Sequence, residues 1–156
     1  SQPCMIRIKP NVAAGGHPKI MTAHEASKFG IDIRQREEIL SIVRRFNLHV
    51  VGLHQHTGSD IKPEAAFEAA EKLFELAYDF PDLHYIDLGG GFKVSYREGD
   101  PVTDVAAFGA KMTAFFQNFC QRYGRNLELW LEPGKFLVSE AGYLLVAVNV
   151  VKSSPN

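Results

Sequence analysis

The sequence predicts an α/β fold built on a parallel sheet, and three observations predict it. Apolar runs of strand length alternate with segments of helical periodicity along the 156 residues. The helical segments are long enough to carry the chain back over a sheet between parallel strands. Three of the apolar runs then end in polar or glycine residues: Gly52-Leu53-His54-Gln55-His56-Thr57-Gly58-Ser59, Ile86-Asp87-Leu88-Gly89-Gly90-Gly91 and Leu131-Glu132-Pro133-Gly134-Lys135. A parallel barrel collects its chemistry at the C-terminal ends of its strands. These segments therefore read as parts of one phosphate- and ring-binding site.

The elements follow in order. Ile6 to Lys9 is a short strand closed by Pro10, and Asn11 to His17 a glycine-rich loop. Ser27 to Ile31 introduces a helix whose Ile33, Glu37, Leu40, Ile42, Val43 and Phe46 recur at roughly helical spacing. His49 to His54 is the second strand. Pro63 suits the first turn of a helix that runs to Tyr78, with Ala66, Phe67, Ala70, Leu73, Phe74 and Ala77 as its apolar stripe. His84 to Leu88 is the third strand. Asp104 is placed to cap a helix carrying Phe108, Met112, Phe115, Phe116 and Phe119, which Gly124 stops. Leu127 to Leu131 is the fourth strand. A longer apolar strand, Tyr143 to Val151, breaks the rhythm and is expected to leave the α/β layer.

Four strand–helix units do not close a barrel of eight, which needs about 250 residues. An open sheet of four would leave its edges exposed. The expectation is a part of a larger protein, with residues 1–142 belonging to an α/β barrel and 143–156 beginning the passage into another domain.

Composition narrows the function. The hydrophobic content is 46% and the net charge -1, with acidic and basic residues mixed along the chain, so neither nucleic acid nor an anionic membrane is an expected partner. The longest apolar stretch is far short of a membrane span, and no signal peptide is visible, which makes the cytoplasm the expected location. Cys4 and Cys120 are far apart and read as thiols.

The segments carry distinct chemistry. Gly89-Gly90-Gly91 after a strand permits positive φ angles, and successive N–H groups there make a hollow for an anion; the plainer reading is a flexible turn. It is not a dinucleotide fingerprint, since the spacing is wrong and no helix opens behind it. Residues two apart on a strand share a face, so His54 and His56 are candidates for zinc in a metal-dependent barrel hydrolase. His49 and His84 fall at the opposite ends of their strands and do not complete such a site; His17 and His24 lie in or near the loop after the first strand. An imidazole at the position of His56 equally suits stacking on a heteroaromatic ring, and Ser59 offers a hydroxyl to a phosphate oxygen. Glu132, at the end of an apolar strand, is costly to bury unpaired. A protonated pyridine nitrogen would pair with it, as would a lysine or arginine. Phosphate donors, a ring-stacking imidazole and a ring-nitrogen carboxylate together form the set that pyridoxal phosphate requires.

The segments Ser27-Lys28-Phe29-Gly30-Ile31, Gly52 to Ser59, Ile86 to Phe92 and Glu132-Pro133-Gly134-Lys135 resemble, in that order, the motifs of the fold-type III pyridoxal-phosphate decarboxylases. The resemblance covers nearly the whole chain. It implies an alanine racemase-like barrel with pyridoxal 5'-phosphate in its mouth, followed by a C-terminal β domain. His56 would stack on the ring, and Ser59 with Gly89, Gly90 and Gly91 would hold the phosphate. Glu132 would pair with the ring nitrogen, and Pro133, Gly134 and Lys135 would line the phosphate and substrate side. Lys135 stands where the family usually has arginine, which keeps the charge and loses the bidentate fork. Lys28 would be structural.

The resemblance further implies a small amino-acid substrate, meso-diaminopimelate, decarboxylated to L-lysine; another basic amino-acid or polyamine decarboxylase is the alternative. A non-catalytic descendant of such an enzyme is a third reading. The family's homodimer is expected of the full enzyme. Its covalently bonding lysine and its cysteine would lie upstream of Ser1 and downstream of Asn156. No catalytic residue is therefore expected among residues 1–156, and these residues alone are expected to be inactive.

Overall fold

A computed structural model describes residues 2–12, 28–59 and 62–153. Most of the expected loop from Asn11 to His17, the start of the helix-introducing segment at Ser27, and both His17 and His24 lie outside the described residues. Five strands, β1 (Pro3–Lys9), β2 (Ile31–Asp32), β3 (His49–Gln55), β4 (Tyr85–Asp87) and β5 (Glu128–Trp130), form one sheet in the order β2-β1-β3-β4-β5. Every pairing is parallel. Apart from the two-residue β2 at the edge, neighbours in the sheet are neighbours in sequence. The predicted parallel α/β fold is the one observed.

The helices between strands are α1 (Arg36–Arg45), α2 (Pro63–Ala77) and α3 (Val105–Tyr123), with a short α4 (Gly134–Val138) after β5. Pro63 occupies the first turn of α2, where its missing N–H costs nothing. Asp104 caps α3 by accepting the Ala107 N–H at 2.9 Å, and Gly124 ends it with φ +84° and its N–H on the Cys120 carbonyl.

Register explains the two faces of the sheet. Ile6, Leu53, Ile86 and Leu129 stand side by side across four strands. They face the helices, where the core gathers Ala69, Ala70, Leu73 and Phe74 of α2 and Phe108, Met112, Phe116 and Phe119 of α3. Phe74 and Phe119 stack at 4.3 Å and 7°. Tyr123 ties the end of α3 to the turn before β4, accepting the Leu83 N–H at 3.3 Å and donating to the Phe80 carbonyl. One step along the strands, Arg7, His54, Asp87 and Trp130 form the matching row on the opposite face. Met5, Gly52, Tyr85 and Glu128 form another row on that side, where the Tyr85 ring lies over Gly52 and leaves no room for a Cβ.

Three expectations need correction. The segment Tyr143 to Val151 forms no strand here; its apolar side chains are largely exposed. A strand is defined by its ladder, and among the described residues none runs beside this one. The helix expected from Ile33 starts as a 3-10 turn, with α1 proper beginning at Arg36, because Asp32 caps the turn by accepting the Arg34 N–H at 2.9 Å. Residues 31–32, expected only to lead into that helix, add β2 to the sheet. There Lys9 and Asp32 are register partners 3.4 Å apart. The Arg34 side chain holds the Asp32 carboxyl well below the usual carboxylate range.

Candidate functional site

Three strand ends meet at one rim. β3 continues into His56, β4 into Leu88 and the three glycines, and β5 into Leu131 and Glu132. The ladder between the last two extends past the strands: Leu88 N–H donates to the Trp130 carbonyl at 3.1 Å, and Glu132 N–H to the Gly89 carbonyl at 2.9 Å. His56, Gly89, Gly90 and Glu132 therefore converge, as the strand-end reading required.

Glycine is needed here for space. A Cβ on Gly90 would fall closer than 3.0 Å to the Glu132 carbonyl oxygen, and one on Gly89 would sit 2.5 Å from the Gln55 carbonyl oxygen and 2.8 Å from His56 Nδ1. Gly89 and Gly91 also have φ of +68° and +98°, a region that side chains resist. The same residues spend part of their hydrogen-bonding capacity within the chain. Gly89 N–H donates to Asp87 Oδ1 at 2.8 Å, and Gly90 N–H to His56 Nδ1 at 3.2 Å. Among the described residues the Gly91 N–H has no partner.

The Gly90 bond fixes the chemistry of His56. An Nδ1 that accepts leaves the ring proton on Nε2. Burial and, after it, the nearby Arg7 charge push the His56 imidazole below its ordinary value of 6.5, which favours the neutral ring. A neutral imidazole held edge-on by a backbone N–H is a rigid plate.

Glu132 meets a different partner from those weighed in the sequence. Its Oε2 lies 3.3 Å from His54 Nε2. His54, Asp87 and Glu132 each bring one polar atom within 4.8 Å of the others. The two histidines therefore separate: His54 faces carboxylates and His56 faces a backbone amide. Among the described residues, the group whose polar atoms lie close enough to share a metal ion is His54 with Asp87 and Glu132, and His56 is not part of it.

The remaining predicted residues are placed as follows. Ser59 is half-buried after Gly58, whose φ is +109°, and no hydrogen bond links it to the rim among the described residues. Pro133 is the cap residue of α4, which Gly134 and Lys135 begin. Lys135 Nζ donates to the Tyr96 hydroxyl at 3.1 Å and lies 5.2 Å over the Tyr96 ring. Beneath the glycines, Gln55 Oε1 and Thr57 Oγ1 are buried with no hydrogen-bond partner, beside a small cavity lined also by Gly89, Gly90 and Phe92.

Sequence reasoning assigned no role to Asp87 or Tyr96. Asp87 carried a signal: a carboxylate in the last position of an apolar strand, two residues before the first of the glycines. Tyr96, in the loop after the glycines, carried none.

Residues 1–139 match the family model for pyridoxal-dependent decarboxylases, in its pyridoxal-binding domain. Among curated proteins, the chain is 34% identical over 155 residues to a diaminopimelate decarboxylase of Methanothermobacter thermautotrophicus, covering 95% of this chain and 36% of that protein. It is likewise 34% identical to the diaminopimelate decarboxylase of Bacillus subtilis (strain 168), covering 97% of this chain and 37% of that protein. Among solved structures, diaminopimelate decarboxylase from Helicobacter pylori in complex with L-lysine superposes with a TM-score of 0.75 at 30% identity, over 88% of this chain and 35% of that one. The chain spans little more than a third of the length of the curated relatives it matches.

Proposed function

The chain belongs to the pyridoxal-dependent decarboxylase family, and on that premise we propose that it holds pyridoxal 5'-phosphate for the decarboxylation of meso-diaminopimelate to L-lysine. One observation carries this reading: a neutral imidazole plate, a glycine-lined hollow and a carboxylate converge at the ends of three adjacent parallel strands.

Bound in such a site, pyridoxal phosphate supplies an electron sink for the charge that develops on the substrate when carbon dioxide leaves. The residues of this chain bind and orient. His56 stacks flat on the ring, its plane set by the Gly90 N–H. The Gly91 N–H and the Ser59 hydroxyl are open to phosphate oxygens, with Gly89 and Gly90 shaping the hollow. Glu132 pairs with the ring nitrogen and keeps its proton in place. Pro133, Gly134 and Lys135 line the phosphate and substrate side, where the ammonium of Lys135 attracts a carboxylate as a point charge.

The substrate reading draws support from the relatives, which bear the name diaminopimelate decarboxylase at about a third identity. The face of the sheet that carries Arg7, His54 and Asp87 suits the inside of a barrel mouth, with residues 1–142 contributing to that barrel. Residues 143–156 fit a lead into a β domain that would supply their missing ladder. A cytoplasmic homodimer completes the proposal; no helix among the described residues is long and apolar enough to cross a membrane.

Titration with pyridoxal phosphate, followed by visible absorbance, tests the reading. Saturable binding that weakens at least tenfold in His56→Ala and in Glu132→Ala is the expected result. A wild-type chain with no saturable binding overturns it. For the substrate, carbon dioxide release from meso-diaminopimelate, and not from ornithine or arginine, is expected of a polypeptide of the relatives' full length.

A further inference from the structure

The reading above gives His56 a role and leaves His54 without one, although His54 is the better buried of the two partners it forms with Glu132. Its side chain is 12% exposed, against 54% for that of Glu132. His54 sits inside β3, in register between Arg7 of β1 and Asp87 of β4, so the sheet itself sets its position. Asp87 is fixed as well: it is buried, and its Oδ1 accepts the Gly89 N–H. Glu132 lies beyond the end of β5, and among the described residues His54 is the one side chain that hydrogen-bonds its carboxylate. The Asp87 carboxylate stands close by, with the polar atoms of all three residues within 4.8 Å.

An N–H donated to one oxygen of a carboxylate fixes the direction in which the group points. We propose that His54 is a positioning residue for Glu132, donating its Nε2–H to Oε2 so that the carboxylate is held over the rim. This rests on the reading that Glu132 pairs with the ring nitrogen of the cofactor. Its effect there has a definite sign. A carboxylate held against the ring nitrogen would favour the protonated pyridine. Without the His54 N–H, the carboxylate is no longer held at the ring nitrogen, and the ring loses the partner that favours its protonated form.

The test is the 15N chemical shift of pyridoxal phosphate labelled at its ring nitrogen, bound to the full chain. The wild type should show the shift of a protonated pyridine. Two neutral amides then separate a donated N–H from simple occupancy. In His54→Gln the amide nitrogen reaches about where Nε2 does, and the shift should stay near that of the wild type. In His54→Asn it falls short, and the shift should move toward that of an unprotonated pyridine while binding persists. If both amides leave the shift unchanged, or both move it alike, the inference fails. Glu132→Gln is the control on its foundation: it should move the shift regardless of His54. If it does not, or if the wild type binds no cofactor, the site assignment itself falls, and the His54 proposal falls with it.

Discussion

The two faces of one sheet make the sharpest contrast in this molecule. On one, the row Ile6, Leu53, Ile86 and Leu129 is apolar across four strands and packs on the aromatic side chains of α2 and α3. On the other, one residue along each strand, the row reads Arg7, His54, Asp87 and Trp130. The strands are the same and the backbone pairing is the same. Alternation of side chains alone separates a surface that stabilises from one that carries charge, imidazole and carboxylate. A parallel sheet usually has both faces covered. Here the helices cover the apolar one, and polar groups are reserved for the other, where they lead up to the rim.

If that division is right, substitutions on the two faces should differ in kind. Phe119→Ala, in the centre of the helix-covered side, should cost about 3–5 kcal/mol in urea denaturation, because its fully buried ring leaves a cavity against Phe74. Trp130→Ala, on the opposite face and 42% exposed, should cost clearly less. Equal losses would erase the contrast.

Gly90→Ala comes next and tests the rim where the faces end. Its methyl group collides with the Glu132 carbonyl, and such overpacking costs roughly 1–3 kcal/mol. The same variant should lose most of its affinity for pyridoxal phosphate, since the strand ends must part to admit the methyl.

A smaller effect appears in acid. His56 is held below its ordinary value of 6.5, so as pH falls through that value the unfolded chain takes up a proton that the folded chain refuses. Stability should therefore decline from about pH 6.5 downward and level off below the folded value. His56→Asn should flatten that part of the curve. Below pH 3.8, the ordinary value of Asp32, the unfolded chain protonates this carboxyl while the folded chain, which holds it low, keeps the charge, so a second decline should follow there and vanish in Asp32→Asn. Thermal melts across this range check both.

The smallest effect belongs to the outer surface. Arg36 grips Asp79 with two hydrogen bonds of 2.6 Å, yet the Arg36 side chain is about half exposed to solvent. Asp79→Asn should cost no more than about 1 kcal/mol, and less at high salt.

What could be read in advance follows the same physics. α2 and α3 were legible because each has an unbroken period and a boundary residue, Pro63 for α2 and Asp104 and Gly124 for α3, and β3 and β4 because each is a short apolar run. β2, two residues long, has no period to read, and α4 is only five residues following Glu132-Pro133. The segment from Tyr143 has the composition of a strand, but composition does not supply a neighbour. At the rim, strand-end logic brought His56, Gly90 and Glu132 together correctly, because all three positions follow from where the strands stop. The meeting of His54 with Glu132 was not legible. It joins residues 78 apart and depends on the register of three strands at once.

Trp130 has a consequence of its own. It is the single tryptophan of the sequence, it lies flat on Tyr85 at 4.1 Å and 4°, and its indole N–H is tied to Glu128 at 2.8 Å. Two residues later the chain reaches Glu132. Nature has thus put one fluorophore, already immobilised, within a step of the rim, and its emission will register whatever arrives there without any dye being attached.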